Sequence, residues 1–226
     1  MSGTVLITGA FGLVGTDTVR RFAADGWRVV ATAHRRAFEE LPPRVETRWT
    51  DLTDPAQVRS LVAEVSPDVI VHLAAVIPPL VYCDAAFARR LNVGATVSLV
   101  SAASDQPKPP RLLHASSTAI YGSRNPYRHP ELLSVGTPLQ PCELYGGHKL
   151  EAEACVRSSG LDWVVLRLGG VLSVDPRAMP VTRDIMYFTS ALPADGRVHS
   201  VDTRDVAVAF AAAVHQDVSG MVLLIG

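Results

Sequence analysis

Tyr145 and Lys149 stand four residues apart in Tyr145-Gly-Gly-His-Lys149, at the start of a stretch that reads as a helix. That spacing sets a phenol and an ammonium on one face, one turn apart. A free phenol, with a pKa of ~10, is a poor acid–base group at neutral pH. A neighbouring ammonium, together with a cationic cofactor ring bound beside it, favours the phenolate and is expected to lower that value toward the working pH. Alone the pair reads equally as a Tyr stem packed on a Lys stem, because ordinary helices generate this spacing by chance. Two adjacent serines stand in a second segment, His114-Ala-Ser116-Ser117-Thr-Ala-Ile-Tyr121-Gly122, just after an apolar run of strand length. The carboxyl edge of such a strand is where a doubly wound sheet binds ligands.

A cofactor site is legible nearer the amino terminus. Thr4-Val-Leu-Ile-Thr-Gly9-Ala-Phe11-Gly12-Leu13-Val14-Gly15 places three glycines where a first strand turns into a first helix. Backbone without Cβ can approach a pyrophosphate, and the helix N-terminus offers it free N–H groups and a partial positive charge. Glycines also mark plain turns, but the strand before them and the helix after supply the context a dinucleotide site needs. The end of the second strand chooses the cofactor. NAD sites usually carry Asp or Glu there for the ribose 2′-hydroxyl. Here that position falls at about Ala33, followed by His34-Arg35-Arg36. Two guanidinium groups suit a 2′-phosphate, so NADP(H) is favoured over NAD(H); the bland alternative is a solvated Arg pair. Asp51-Leu52 could serve the adenine amino group, or Asp51 could be an ordinary turn residue. His72-Leu-Ala74-Ala75 closes the fourth strand with small residues that leave room for ribose and phosphates, or simply pack.

The elements that must position these groups follow from hydrophobic periodicity. Strands are expected at 4–8, 28–33, 46–49, 69–73, 111–115, 163–168 and 221–225, several of them apolar without alternation, as in a sheet buried on both faces. Helices are expected at 13–25, ending at Gly26 as C-cap; from Asp54-Pro55-Ala56-Gln57 onward, where Asp54 caps, Pro55 suits the first turn and Gln57 closes a capping box; and at about 84–103, 142–159 and 203–214. The segment Gly122–Pro141 reads as a long loop, usually functional at that length. This alternation predicts an α/β fold, a Rossmann-type doubly wound parallel sheet.

Bulk properties exclude several classes. The chain has 226 residues, a formal net charge of −1 and no basic run, so nucleic acid is not an expected partner. Its longest apolar run, Val206 to Val214, is too short to span a bilayer. Cys83, Cys142 and Cys155 cannot all pair and form no Cys-x-x-Cys, and an apolar strand begins within a few residues of Met1. The expectation is reduced thiols, no signal peptide and a cytoplasmic protein.

Taken together, the glycine triad, the Ser116-Ser117 segment and Tyr145-x-x-x-Lys149 resemble the short-chain dehydrogenase/reductase superfamily, in its extended branch, the NAD(P)-dependent epimerase/dehydratase family. Further matching segments are Pro67-Asp68-Val-Ile-Val-His72-Leu-Ala-Ala75, Asn92-Val93-Gly94-Ala-Thr96, Leu166-Arg167 with Gly169-Gly170-Val171, and weakly Val201-Asp202-Thr-Arg-Asp205. The resemblance implies that Tyr145 is the proton donor and acceptor, that Lys149 holds the nicotinamide ribose and lowers the tyrosine pKa, and that Ser117 hydrogen-bonds the reacting oxygen, with Ser116 the less favoured hydroxyl. It implies cofactor contacts from Gly9, Phe11, Gly12, Leu13, Val14, Asp51, Leu52, Ala74, Ala75, Asn92, Ser116 and Leu168, and a homodimer. Residues 1–170 would form the cofactor domain, and 171–226 a reduced substrate portion plus the last helix and strand of the core. Arg177, Arg183 and His199 are candidate anion contacts there, though each is more often a surface residue.

Departures narrow the activity. Thr118-Ala119 stand where family dehydratases place an acidic pair. Galactose-type epimerases carry an acidic residue near Ala33 and an Asn near Gly170, and neither is present. The expectation is an NADP(H)-dependent oxidoreductase of a small carbonyl or hydroxy compound, a sugar derivative among them. A sugar-nucleotide epimerase and a non-catalytic NADP-sensing regulator are the alternatives.

Overall fold

A computed structural model describes residues 3–34, 42–125, 127–175 and 199–226. Seven strands form one parallel sheet: β1 Thr4–Thr8, β2 Arg28–Ala33, β3 Val45–Trp49, β4 Val69–His72, β5 Arg111–Ser117, β6 Trp163–Leu168 and, last in the chain, β9 Met221–Ile225. Their order is β3-β2-β1-β4-β5-β6-β9, which reverses direction between β1 and β4. Two short strands, β7 Gly170–Leu172 and β8 Ser200–Asp202, pair in a separate parallel ribbon.

Strands buried on both faces give two cores. On β1, Val5 and Ile7 join Val19 and Phe22 of α1 (Leu13–Ala24) and Val206 and Phe210 of α6 (Thr203–His215). Between them on the same strand, Leu6 points the other way, toward Val58 and Leu61 of α2 (Pro55–Val65) and Leu99 of α4 (Ala95–Ser104). Helices on both faces of a parallel sheet make the doubly wound Rossmann architecture expected from the sequence. Among the described residues, no helix is long and apolar enough to cross a membrane.

Local differences have local causes. The long helix expected at 84–103 is interrupted: α3 (Ala85–Arg89) passes into a π turn at Arg90–Gly94 before α4 begins. Inside that turn Asn92 is buried, accepting from the Val76 N–H at 2.7 Å and donating to the Val76 carbonyl at 2.9 Å. A widened turn carries its side chain to that loop. At α2 the Asp54 carboxylate caps the Ala56 and Gln57 amides, but the capping box does not close as expected. The Gln57 amide oxygen instead accepts from the Asp51 N–H, at 3.0 Å. β5 runs two residues past its expected end, to Ser117.

Candidate active site

The switch between β1 and β4 opens a cleft of about 980 Å³ along the carboxyl ends of the strands. Its centre is the turn from β1 into α1. Gly9 has φ +66°, and a Cβ there would lie 2.7 Å from the Ala74 nitrogen; one on Gly15 would lie 2.2 Å from the Gly9 carbonyl oxygen. Only glycine lets the turn and the end of β4 pass this closely. α1 starts at Gly12 with no side-chain cap and no acidic residue in its first turn, so its leading amides face the cleft uncompensated. Phe11, Gly12, Leu13 and Val14 line it there, with Ala74 and Ala75 opposite. A cradle that a Cβ would fill, at a bare helix N-terminus, fits a dinucleotide pyrophosphate.

On one flank the wall is Ala33, His34, Asp51 and Leu52. Asp51 accepts from the Thr53 hydroxyl at 2.7 Å and from the Thr53 N–H at 2.9 Å, and these bonds hold its carboxyl below the usual carboxylate range. Arg35 and Arg36 lie outside the described residues, as do Arg177 and Arg183. Exposed His199 lies close to Gly169, and its carbonyl accepts from the Gly170 N–H at 2.6 Å. Asn92 does not line the cleft; its side chain is engaged with Val76 behind it.

On the other flank Ser117, Tyr145, Lys149 and Leu168 converge. Tyr145 and Lys149 lie on α5 (Leu144–Arg157), Ser117 at the end of β5. Gly146 allows the first turn of α5 to sit on the chain after β5, since a Cβ there would lie 2.6 Å from the Ala119 carbonyl oxygen. The Tyr145 phenol lies near enough to Ser117 for that hydroxyl to favour the phenolate, and the Ser117 oxygen accepts from the Ala119 N–H at 3.1 Å. Lys149 is 3% exposed, donates to the Ala115 carbonyl at 2.8 Å, and has Nζ 5.8 Å from the Tyr145 ring centre.

The electrostatics correct one expectation. The Tyr145 phenol is pushed up, not down: burial outweighs the Ser117 hydrogen bond, and the charge of Glu143 adds to the rise. Lys149 cannot counter this with its full effect, because burial lowers its own pKa from 10.5 to about 8 and its ammonium is turned to Ala115. Removing water from a charged form is the larger effect at such a site.

The two serines go opposite ways, as alternate strand residues must. Ser116 is among the residues lining the cleft, but it is buried and its hydroxyl donates to Glu153 at 3.0 Å. Glu153 in turn is gripped by Arg167 of β6, at 3.1 Å from Nε and 2.5 Å from Nη2, while Arg167 reaches the Tyr121 hydroxyl at 2.7 Å. Sequence reasoning missed this buried network, though Tyr145, Lys149 and Glu153 recur every fourth residue along one helix face. It also missed Glu143 and Tyr82, which line the cleft beside Tyr145. A carboxylate two residues before the tyrosine, at the helix start, was the available signal for Glu143.

Residues 5–226 match the NAD dependent epimerase/dehydratase family. Methionine adenosyltransferase 2 subunit beta of Xenopus tropicalis is 34% identical over 191 residues, covering 82% of this chain and 53% of that protein. D-erythronate dehydrogenase of Cupriavidus necator is 29% identical over 187 residues, covering 76% of this chain and 56% of that protein. Among solved structures, the UDP-glucose 4-epimerase of Thermus thermophilus in complex with NAD superposes with a TM-score of 0.82 at 25% identity, covering 99% of this chain and 77% of that one. The chain spans about half the length of the curated relatives it matches.

Proposed function

The chain belongs to the NAD dependent epimerase/dehydratase family, and from that premise we propose that it moves a hydride between a nicotinamide dinucleotide and a carbon bearing a hydroxyl or carbonyl, with Tyr145 as the acid–base group. One observation carries this reading: Ser117, Tyr145 and Lys149 meet at one end of a single cleft whose centre is the glycine turn at the head of α1. Nicotinamide, when bound, supplies the hydride or takes it up. The chain supplies position and proton. Tyr145 passes its phenolic proton to a carbonyl oxygen, or takes the proton of a hydroxyl, while Ser117 holds that same oxygen. Lys149, with its pKa near 8, is mostly charged at neutral pH and stabilises the phenolate formed when the proton leaves. The bare amides at the head of α1 hold the pyrophosphate.

NADP(H) is the cofactor in this reading, since Ala33 and His34 bring no carboxylate to the end of β2 and Arg35 and Arg36 follow directly. The substrate is a small carbonyl or hydroxy compound, and the free cysteines support a reducing, cytoplasmic setting. Likeness to an NAD-bound epimerase supports a second reading, a sugar-nucleotide epimerase, which would return its cofactor unchanged. Likeness to a subunit of an adenosyltransferase supports a third, a regulator that binds the dinucleotide without turnover. The test is Tyr145→Phe assayed for NADPH oxidation against a panel of carbonyl compounds and for NADPH binding. Turnover should fall by roughly 100-fold or more with binding nearly intact. Retained turnover would remove Tyr145 from the mechanism, and net NADPH consumption by the unaltered protein separates a reductase from an epimerase.

A further inference from the structure

Glu143 is the N-cap of α5. Its carboxylate is tied at three points: Oε2 accepts from the Tyr145 N–H at 2.7 Å and from the Tyr82 hydroxyl at 3.2 Å, and Oε1 accepts from the Gly146 N–H. Tyr82 ends a 3₁₀ turn, Leu80–Tyr82, on a separate segment of the cleft wall, so the carboxylate bridges two walls at the reacting end. Ser, Thr, Asp and Asn are the usual N-caps. Glu reaches the same amides with one more methylene and carries a full charge beside the acid–base residue.

No described Lys or Arg pairs with that carboxylate, whose hydrogen bonds come from neutral donors. Among the described residues lining the cleft, Lys149 is the one Lys or Arg; it keeps its positive charge near the phenol, but its ammonium donates to the Ala115 carbonyl and not to Glu143. The other lining carboxylate, Asp51, belongs to the opposite flank. Around the phenol the titratable groups are Glu143 and Lys149 on its own helix and Tyr82 across the cleft; β5 contributes only the neutral hydroxyl of Ser117. His148, next to Lys149, feels the Glu143 charge, but burial and Arg89 hold its pKa below the usual imidazole range, and its ring nitrogen lies 3.5 Å from the Asn92 amide outside the cleft lining.

We propose that Glu143 is a positioning and specificity-determining residue: it fixes the backbone of Tyr145 and keeps a negative charge beside the reacting carbon, so that the site takes uncharged carbonyl or alcohol compounds and rejects those with a carboxylate or phosphate next to that carbon. This rests on the reading of Tyr145 as the acid–base group. The same charge holds the phenol in its protonated form, consistent with the upward displacement of its pKa by burial and Glu143.

The experiment compares NADPH oxidation with methyl phenylglyoxylate and with phenylglyoxylate, which differ by one charge adjacent to the reacting carbonyl, in the unaltered protein, Glu143→Gln and Glu143→Asp. The ester should be favoured in kcat/KM by on the order of tenfold or more in the unaltered protein and in Glu143→Asp, which keeps both cap and charge. Glu143→Gln keeps a cap acceptor without the charge, and should bring the two substrates toward parity, mainly through the KM of the acid. A second readout needs no turnover: tyrosinate absorbance, with Tyr145 isolated by subtracting Tyr145→Phe, should titrate at lower pH in Glu143→Gln than in the unaltered protein. An ester preference unchanged in Glu143→Gln, or a Tyr145 titration that does not move, overturns the proposal. Absence of turnover in every form, with the titration still moved, counts against hydride transfer while supporting the placement of the Glu143 charge.

Discussion

Replacing Lys149 with Met should make the protein more stable at neutral pH while ending its turnover. Burial holds the folded-state pKa of Lys149 at about 8, against an ordinary 10.5. Below pH 8 both folded and unfolded chains carry the ammonium, and the folded one bears the whole cost of keeping it out of water. Between about 8 and 10.5 the unfolded chain binds more protons, so stability rises with pH and the cost fades. A displacement of that size corresponds to roughly 3 kcal/mol at pH 7. Met matches the length of the Lys stem without the charge. It offsets part of the gain by leaving the Ala115 carbonyl, now bonded at 2.8 Å, without its donor, a loss of about 1 kcal/mol or somewhat more.

The expected net effect is a gain of about 1–2 kcal/mol at pH 7, or roughly 2–8 °C in Tm for a domain of this size. Urea unfolding at pH 7 and pH 10 is the assay. The advantage of Lys149→Met should shrink below about 1 kcal/mol near pH 10, because the folded amine is then already neutral. A variant less stable than the unaltered protein at pH 7, by a margin that does not change with pH, would refute the reasoning. It would mean that the Ala115 bond and stem packing outweigh desolvation.

Glu153→Ala should destabilise by roughly 3–5 kcal/mol, because it strands Arg167, 2% exposed, without its carboxylate. The double change Glu153→Met with Arg167→Met should recover much of that in urea melts; a double variant as unstable as the single one would contradict it. Ser117→Ala should lower kcat more than Ser116→Ala, whose hydroxyl is bonded to Glu153 at 3.0 Å and should show its effect chiefly in stability; the reverse ranking in steady-state kinetics would exchange their roles. Replacing Arg35 and Arg36 together with Ala should weaken NADPH binding about tenfold or more while leaving NADH nearly unchanged. Equal weakening, read by fluorescence titration, would dismiss the 2′-phosphate assignment.

The sheet was legible because its strands are apolar on both faces. Thr4–Thr8 and Trp163–Leu168 stand in the structure with the bounds read from the sequence. What escaped is what periodicity cannot carry. β7 and β8 are three residues each and pair across a chain separation of about thirty residues. The π turn at Arg90–Gly94 holds Asn92, whose partner Val76 is 16 residues away in the chain and on another segment, beyond what periodicity reports. The glycine turn and the Tyr145–Lys149 pair were readable because each is local, one turn or one loop of backbone. The Ser116–Glu153–Arg167–Tyr121 network was not, because its members come from three elements and the segment after β5. The upward effect of burial on the Tyr145 pKa escaped for the same reason, since spacing reveals a neighbouring charge but not the loss of water around it.

Helix α5 explains why the chemistry and the fold are hard to separate here. Tyr145, Lys149 and Glu153 follow one another at intervals of four, and Lys149 and Glu153 are 3% and 1% exposed. Along the face that an ordinary surface helix fills with Leu or Val, α5 sets these polar groups beside only two buried apolar side chains, Ala152 and Val156. Each group is held by a partner that the sheet supplies: Ser117 for Tyr145, the Ala115 carbonyl for Lys149, Ser116 and Arg167 for Glu153. Because residues along β5 alternate in direction, Ser117 can open to the cleft while Ser116 anchors the helix behind it. A polar helix face has little hydrophobic drive of its own, so its place depends on these bonds being made together. The cleft-lining Ser117 and the buried carboxylate of Glu153 are thus fixed by the same registry. A change that loosens Glu153 should therefore reach turnover as well as stability, through the distance between Ser117 and Tyr145.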